Sequence, residues 1–287
     1  MTIAEGSGKG HTDENFPVGS VLIAPRNRPV VLAFYRVARM ADDVADKPGL
    51  PPEEKLRQLK LIETTLLGRS DAVPQAARLR QTLADRRITL DHILDLLEAF
   101  RRDAVKSRYC DWDELMDYCR YSAAPVGRFM LDVHGQARST WPANDALCAA
   151  LQVINHLQDC GKDYRQIDRV YVPLDALAAA GVDVTVLAAD RASPALHGVI
   201  AGLAARTAQL LLVSRGLAPA LTDLRIAMEV GVIQAIAEDL VGRLRRRDPL
   251  SERVHLTPIE AMGAALRGVG IALGPRVAGR QSRLAPA

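Results

Sequence analysis

The sequence predicts an all-α fold, and three observations carry that expectation. Apolar residues recur at three- and four-residue spacing along most of the chain, and no stretch alternates convincingly with the two-residue period of a strand. The apolar content, 48% of 287 residues, is supplied mainly by Leu, Ala and Val, with Arg and Glu between them, and only 4% of the chain is aromatic. Several periodic segments begin with proline or acidic residues and end at glycine, as helices do.

Taken in order, residues 1–13 read as a flexible tail. The "GSGKG" within them lacks the full spacing of a phosphate loop, and no strand precedes it. "RPVVLAFYRVARMADDVAD" starts at Pro29 and stops before Pro48-Gly49. "PPEEKLRQLKLIETTLLG" carries its prolines and acids first and Gly68 last. "TLDHILDLLEAFRRDAV" opens on a threonine cap. "WDELMDYCRYSAAPVGRFMLDVHG" reads as one long helix kinked at Pro125. The "INHLQD" helix follows, then short pieces near 173–190, then "SPALHGVIAGLAARTAQLLLVSRGL". "TDLRIAMEVGVIQAIAEDLVGRLRRR" and "TPIEAMGAALRGVGIAL" close the series, and 274–287 reads as a second loose tail. No linker and no internal repeat divides the chain, so residues 14–273 are expected to form one helical domain.

Composition excludes several classes. A net charge of +3, without a basic stripe interleaved with aromatics, does not suit nucleic-acid binding. Cys110, Cys119, Cys148 and Cys160 show no CxxC spacing and read as free thiols of a reducing compartment. The N-terminus has no apolar signal segment. No charge-free apolar run reaches the roughly 18 residues of a spanning helix. A soluble cytoplasmic protein, at most peripheral to a membrane, is expected.

The chemistry is concentrated at two acidic helix ends. Asn155, Asp159 and Asp163 are spaced i, i+4, i+8 and share one helix face, with Leu151 one turn before them. Aspartates stacked four apart repel by a few tenths of a kcal/mol, and a helix C-terminus disfavours anions. "ARMADDVAD" repeats the pattern with Asp42 and Asp46, Asp43 beside them, and Tyr35 and Arg39 in the preceding turns. A lone DxxxD pair is commonly a solvated face. Two such pairs, each continuing an apolar stripe, point instead to a compensating cation. Carboxylate oxygens without His or Cys suit Mg²⁺, which keeps waters and bridges to phosphate. A cavity walled by apolar helices and closed by Mg²⁺ suits a greasy diphosphate whose departing pyrophosphate the metal would stabilise. Elsewhere, Arg243, Arg245, Arg246 and Arg247 complement a helix C-terminus. Glu252 and His255 form a single ExxH pair, where a di-iron bundle needs two. Cys160 faces away from the aspartate line and reads as packing. His156 lies about 100° off that line and reads as structural.

These segments resemble the squalene/phytoene synthase family of all-α, class I isoprenoid synthases, single-domain bundles around a central cavity. "YRVARMADDVAD" is similar to the family's first aspartate-rich motif, and "QVINHLQDCGKDYRQIDRVYVP" to its second. "YCRYSAAPVGRFML" and "ENFPVGSVLIAP" resemble its middle helix and its N-terminal segment. The similarity runs from about Asn15 to Leu256. It implies that Asp42 and Asp46, with Asn155, Asp159 and Asp163, ligate Mg²⁺. It implies that Arg39, Tyr171 and Arg253 meet diphosphate, and that Phe16 and Tyr35 line the pocket.

Gln158 stands where the family usually has a basic residue, and His156-Leu157 replaces its common aliphatic pair. Those departures, with Pro125, resemble a branch found with bacterial hopanoid pathways. The resemblance then implies loss of pyrophosphate from presqualene diphosphate, rearrangement of the cation and capture of water to give hydroxysqualene. Gln158 is expected to line the pocket, and no NADPH is expected, because no dinucleotide fingerprint is visible. The implied partners are a presqualene diphosphate synthase and a flavin-dependent reductase. Two alternatives stay open: head-to-head condensation of two farnesyl diphosphates, and a non-catalytic assembly role.

Overall fold

Helix start signals in the sequence translate directly into helix starts. The computed structural model describes residues 23–281. Its helices are α1 (Arg28–Ala45), α2 (Pro52–Leu66), α3 (Pro74–Asp85), α4 (Asp91–Val105), α5 (Trp112–Ser122), α6 (Ala124–Val133), α7 (Trp141–Ile167), α8 (Leu174–Ala179), α9 (Pro194–Ser214), α10 (Leu217–Ala220), α11 (Leu224–Leu244) and α12 (Pro258–Gln281). Proline occupies the first turn of α1, α2, α3, α6, α7 and α9, where the missing N–H costs nothing. Among the described residues there is no strand, only an isolated bridge between Arg108 and Val170.

The structure departs from the sequence reading at Pro125, at α3 and at the end of α12. Pro125 does not kink a continuous helix. The break falls at Ala123, with φ −120° and ψ −49°, and Pro125 sits in the first turn of the separate helix α6, where its missing N–H costs no intrahelical bond. α3, unnoticed in the sequence, is a full helix burying Ala76, Leu79 and Leu83. Within the expected domain, 14–273, the helices group into two compact units. One takes the chain up to Ser107 with Arg120–Gly135, and the other takes Arg108–Cys119 with everything from Gln136. α12 also continues to Gln281, beyond residue 273. The tail expected over residues 1–13 lies outside the described residues.

The first unit packs α1 against α3, α4 and α2, with α6 on α4. Its core joins Val30, Val37, Leu59, Ile62, Leu79, Leu97 and Phe129, all buried. Phe34 stacks on Phe129 with ring centroids 3.9 Å apart, and His92 Nε2 meets Asp132 Oδ2 at 2.8 Å.

The second unit is organised on α7, which packs on α9 and α11, while α12 lies along α11. Both tryptophans of the chain belong to this unit. Arg206 stands 4.5 Å over Trp112, and Arg138 stands 4.9 Å over Trp141. The apolar stretch Pro194–Ala220 is long enough to cross a membrane by length and composition. It packs against α7 and α11 and buries Leu203, Thr207, Leu211 and Ser214, while Leu212 and Val213 stay exposed. Buried polar groups are paired here: Ser214 Oγ donates to Gln234 Oε1 at 2.6 Å, and Gln234 Nε2 donates to the Leu211 carbonyl.

α11 and α12 approach to backbone contact at Gly231 and Gly268. A Cβ on either glycine would fall inside van der Waals contact of the other's backbone. Gly263, on the same helix α12, has nothing within 4 Å of such a Cβ. Gly268→Ala is therefore expected to destabilise the fold by about 1–3 kcal/mol, forcing the helices apart. Gly263→Ala should raise stability by about 0.5–1 kcal/mol through reduced unfolded-state entropy. Thermal unfolding of the two variants checks the pair, at roughly 2–4 °C per kcal/mol.

Candidate active site

The first acidic cluster is held at the C-terminal end of α1. Val30, Val37, Ala41 and Val44 bury one face of that helix, which presents Tyr35, Arg39, Asp42 and Asp43 on partly exposed faces. Arg39 forks between two carboxylates: Nη1 donates to Asp42 Oδ2 at 2.9 Å and Nη2 to Asp43 Oδ1 at 2.7 Å. Asp46 closes the helix, its backbone N–H donating to the Asp42 carbonyl at 2.9 Å. Burial, then the negative charges of Asp46, Asp103 and Asp43, push the Asp42 carboxyl up to about 7, against the pull of Arg39. Burial works against the Arg39 charge, but Asp42 and Asp43 outweigh it and hold the guanidinium above its ordinary value. Asp103 arrives from α4, 60 residues along the chain. No motif marks it in the sequence, where it is a single acid after Arg101-Arg102.

The second cluster lies on α7. Leu151, Asn155 and Asp163 are half-buried, and Asp159 keeps 52% of its side chain exposed with Lys162 Nζ 3.9 Å away. The helix ends at Asp168, whose φ of 49° is left-handed and whose carboxylate and carbonyl both accept from Arg108. The chain then runs Arg169-Val170-Tyr171 beside residues 108–110, with Leu174 N donating to the Tyr109 carbonyl at 3.0 Å.

That turn buries Tyr171 in an aromatic stack. The His156 ring lies 3.4 Å from it at 14°, and Tyr109 and Tyr118 lie 5.5 Å away. The Tyr118 and Tyr171 hydroxyls are 3.5 Å apart, and buried Arg169 Nη1 donates to the Tyr171 hydroxyl at 3.4 Å. Burial, then Arg169, push the His156 imidazole down to about 3, so it is neutral. Its role is structural support of Tyr171. Cys160 is buried with its thiol pushed up to about 12 by burial, which agrees with packing.

Gln158 Nε2 donates to the Val254 carbonyl at 2.5 Å. The amide therefore clamps α7 to the segment carrying Arg253. Phe16 lies outside the described residues. Arg253 is exposed, and His255, held below its ordinary value by burial and Arg253, also feels the opposing charge of Asp159. The 253–255 segment thus lies close to the acidic face of α7. Glu252 is within 3.7 Å of Arg247 and takes part in an ion pair.

The squalene/phytoene synthase family model matches residues 9–260. The chain belongs to the squalene/phytoene synthase family. It is 58% identical over 254 residues to the hydroxysqualene synthase of Rhodopseudomonas palustris, covering 88% of this chain and 87% of the relative. It is 53% identical over 261 residues to the hydroxysqualene synthase of Zymomonas mobilis, covering 90% and 88%. The crystal structure of squalene synthase HpnC from Alicyclobacillus acidocaldarius superimposes with a TM-score of 0.72 at 30% identity, covering 82% of this chain and 90% of that one. The chain is an enzyme of this family, with its all-α isoprenoid synthase fold.

Family members of this kind invite a metal test on the residues themselves. The donors are oxygen only, and among the described residues no three His, Cys, Asp or Glu side chains are already gathered around a point. The donor set does not suit Zn²⁺, which takes nitrogen and sulfur. It fits Mg²⁺, which takes one or two carboxylates and completes its shell with water and substrate phosphate. Burial and the neighbouring carboxylates that raise Asp42 would both be offset by a bound cation.

The raised Asp42 carboxyl sets a pH dependence of stability in the protein without bound metal. Because Asp42 binds its proton more tightly folded than unfolded, it costs nothing below pH 4 and destabilises progressively as pH rises toward 7. Its side chain keeps 34% of its surface exposed, so solvent screens the effect to on the order of 1 kcal/mol. Asp42→Asn should match the wild type at pH 4 and melt higher at pH 8. Equal melting temperatures at both pH values would contradict the clustering.

Proposed function

We propose that the protein converts presqualene diphosphate and water to hydroxysqualene and diphosphate. The observation that carries this reading is 51–58% identity to three hydroxysqualene synthases over 88–91% of the chain. The intact acidic clusters support it, since a non-catalytic scaffold would have no use for their cost.

The proposed residue roles follow from the described contacts. Asp42 and Asp46, with Asn155, Asp159 and Asp163, hold Mg²⁺. When bound, Mg²⁺ neutralises the charge that develops on the leaving diphosphate. Arg39 and Arg253 bind diphosphate oxygens as fixed cations. Arg39 is stationed for this by its fork with Asp42 and Asp43. Arg169 occupies one side of the Tyr171 oxygen and the His156 ring covers its face, so the hydroxyl is held in one place to donate to diphosphate. Tyr35, Phe16 and Leu151 wall the hydrocarbon. In the reaction the bond from carbon to diphosphate oxygen breaks, the cyclopropylcarbinyl cation rearranges, and water oxygen bonds to carbon with loss of a proton. No hydride is consumed, so no NADPH is required. A presqualene diphosphate synthase would supply the substrate and a flavin-dependent reductase would consume the product.

A second reading is head-to-head condensation of two farnesyl diphosphates to presqualene diphosphate or squalene. The name squalene synthase on the matched crystal structure favours it. The two separate in one assay. Purified protein with Mg²⁺ is expected to turn presqualene diphosphate into an alcohol carrying oxygen from ¹⁸O-water, with the same product whether or not NADPH is added. Turnover of farnesyl diphosphate alone would overturn the proposal.

Asp159→Ala should lower turnover by more than about a hundredfold. Its helical circular dichroism should be unchanged, because the side chain is half-exposed. Undiminished turnover would refute the metal-binding role.

A further inference from the structure

α12 turns its small residues inward and its large ones outward. Ala264 and Ala272 are fully buried, and Gly268 between them meets α11 at backbone distance. Ile259, Met262 and Leu266 are instead 84%, 66% and 71% exposed. At 100° per residue these three fall within a roughly 60° arc. Val269 and Leu273 continue the same side, half-buried. An ordinary surface helix places its bulky apolar side chains on the core and its polar ones in water. Single exposed leucines are common, but a line of them along one helix marks an interaction surface.

The charges are arranged to keep that line apolar. Between Pro258 and Gly274 the only ionisable side chains are Glu260 and Arg267. Glu260 pairs with Arg243, and Arg267 with Asp239, both of α11. The segment leading into the helix carries unpaired cations. Arg245 and Arg246, in the segment leading into it, are exposed and make no side-chain ion pair among the described residues. From Gly268 onward the sequence holds Arg276, Arg280 and Arg283 and no acid.

A second copy of the chain is a poor partner for such a face. The same face of a second copy offers no unpaired acid to Arg245 and Arg246, because its one acid, Glu260, is spent on Arg243. A surface that is apolar below and anionic above satisfies both features. We propose that the outer face of α12 docks the protein on an anionic lipid bilayer. Ile259, Met262 and Leu266 enter the boundary of the acyl chains, and the helix lies in the plane of the surface. Arg245 and Arg246 meet the headgroups, each strengthening the attachment within a Debye length of the membrane. The proposal does not depend on the reaction assigned above, and neither outcome of the presqualene diphosphate assay bears on it.

Flotation of the full-length protein with extruded vesicles tests it. One set is phosphatidylcholine with about a third phosphatidylglycerol, the other phosphatidylcholine alone, each at low and at roughly 0.5 M salt. The wild type is expected to float with the anionic vesicles, less at high salt and less with the neutral set. Replacing Ile259, Met262 and Leu266 together by Gln should weaken partitioning at least about tenfold. Arg245→Gln with Arg246→Gln should weaken it roughly fivefold per charge at low salt. Both variants should keep the wild-type unfolding transition and turnover of detergent-dispersed substrate, since none of the five residues belongs to the site. Failure of the wild type to float, or flotation of the triple variant like the wild type, would overturn the proposal. So would a lipid-free dimer, seen by sedimentation velocity, that the triple substitution dissolves, because the face would then belong to a second copy.

Discussion

The structure turns on acidic residues placed where a helix least tolerates them. α1 and α7 each bury apolar side chains for most of their length and then carry carboxylates toward the C-terminal end, where the helix dipole is already negative. In α1 the penalty is visible in the elevated Asp42 carboxyl and in the Arg39 fork that partly offsets it. Such an arrangement persists only if the rest of the fold is rigid enough to enforce it. The buried core around Val30, Leu59, Leu97 and Phe129 supplies that rigidity for the first cluster. For the second it comes from the packing of α7 on α9 and α11.

The support around the second cluster is mostly neutral. His156 is uncharged and used as a flat surface, Tyr171 is buried between aromatic faces, and Gln158 spends its amide on a backbone carbonyl. Asp159 keeps solvent access while His156 and Tyr171 are buried, and the buried charge of Arg169 is offset by its hydrogen bond to the Tyr171 hydroxyl.

Much of this could be read from residue spacing. The i, i+4, i+8 line of Asn155, Asp159 and Asp163 lies on one long helix, and Asp42 and Asp46 close another. Helix starts followed the prolines. What escaped did so for physical reasons. α3 is short and rich in Arg and Gln, so only Ala76, Leu79 and Leu83 carry its period. Asp103 joins the first cluster through tertiary contact alone. Arg169 sits two residues before Tyr171, and its burial comes from tertiary packing that no local pattern marks. Gln158 could be seen to be unusual but not what it would touch. The two units were invisible because the chain passes between them at 107, 119 and 135 with no linker-like composition at any of these points.

The placement of the tryptophans has an experimental consequence. Trp112 and Trp141 both belong to the unit built on α7, and each lies under an arginine that ties it to its local packing. Intrinsic fluorescence is therefore a reporter of one half of the molecule, while far-ultraviolet dichroism sums the helices of both. Where the two signals part during denaturation, the gap between them measures how independently the half holding Asp42 comes apart from the half holding Asp159.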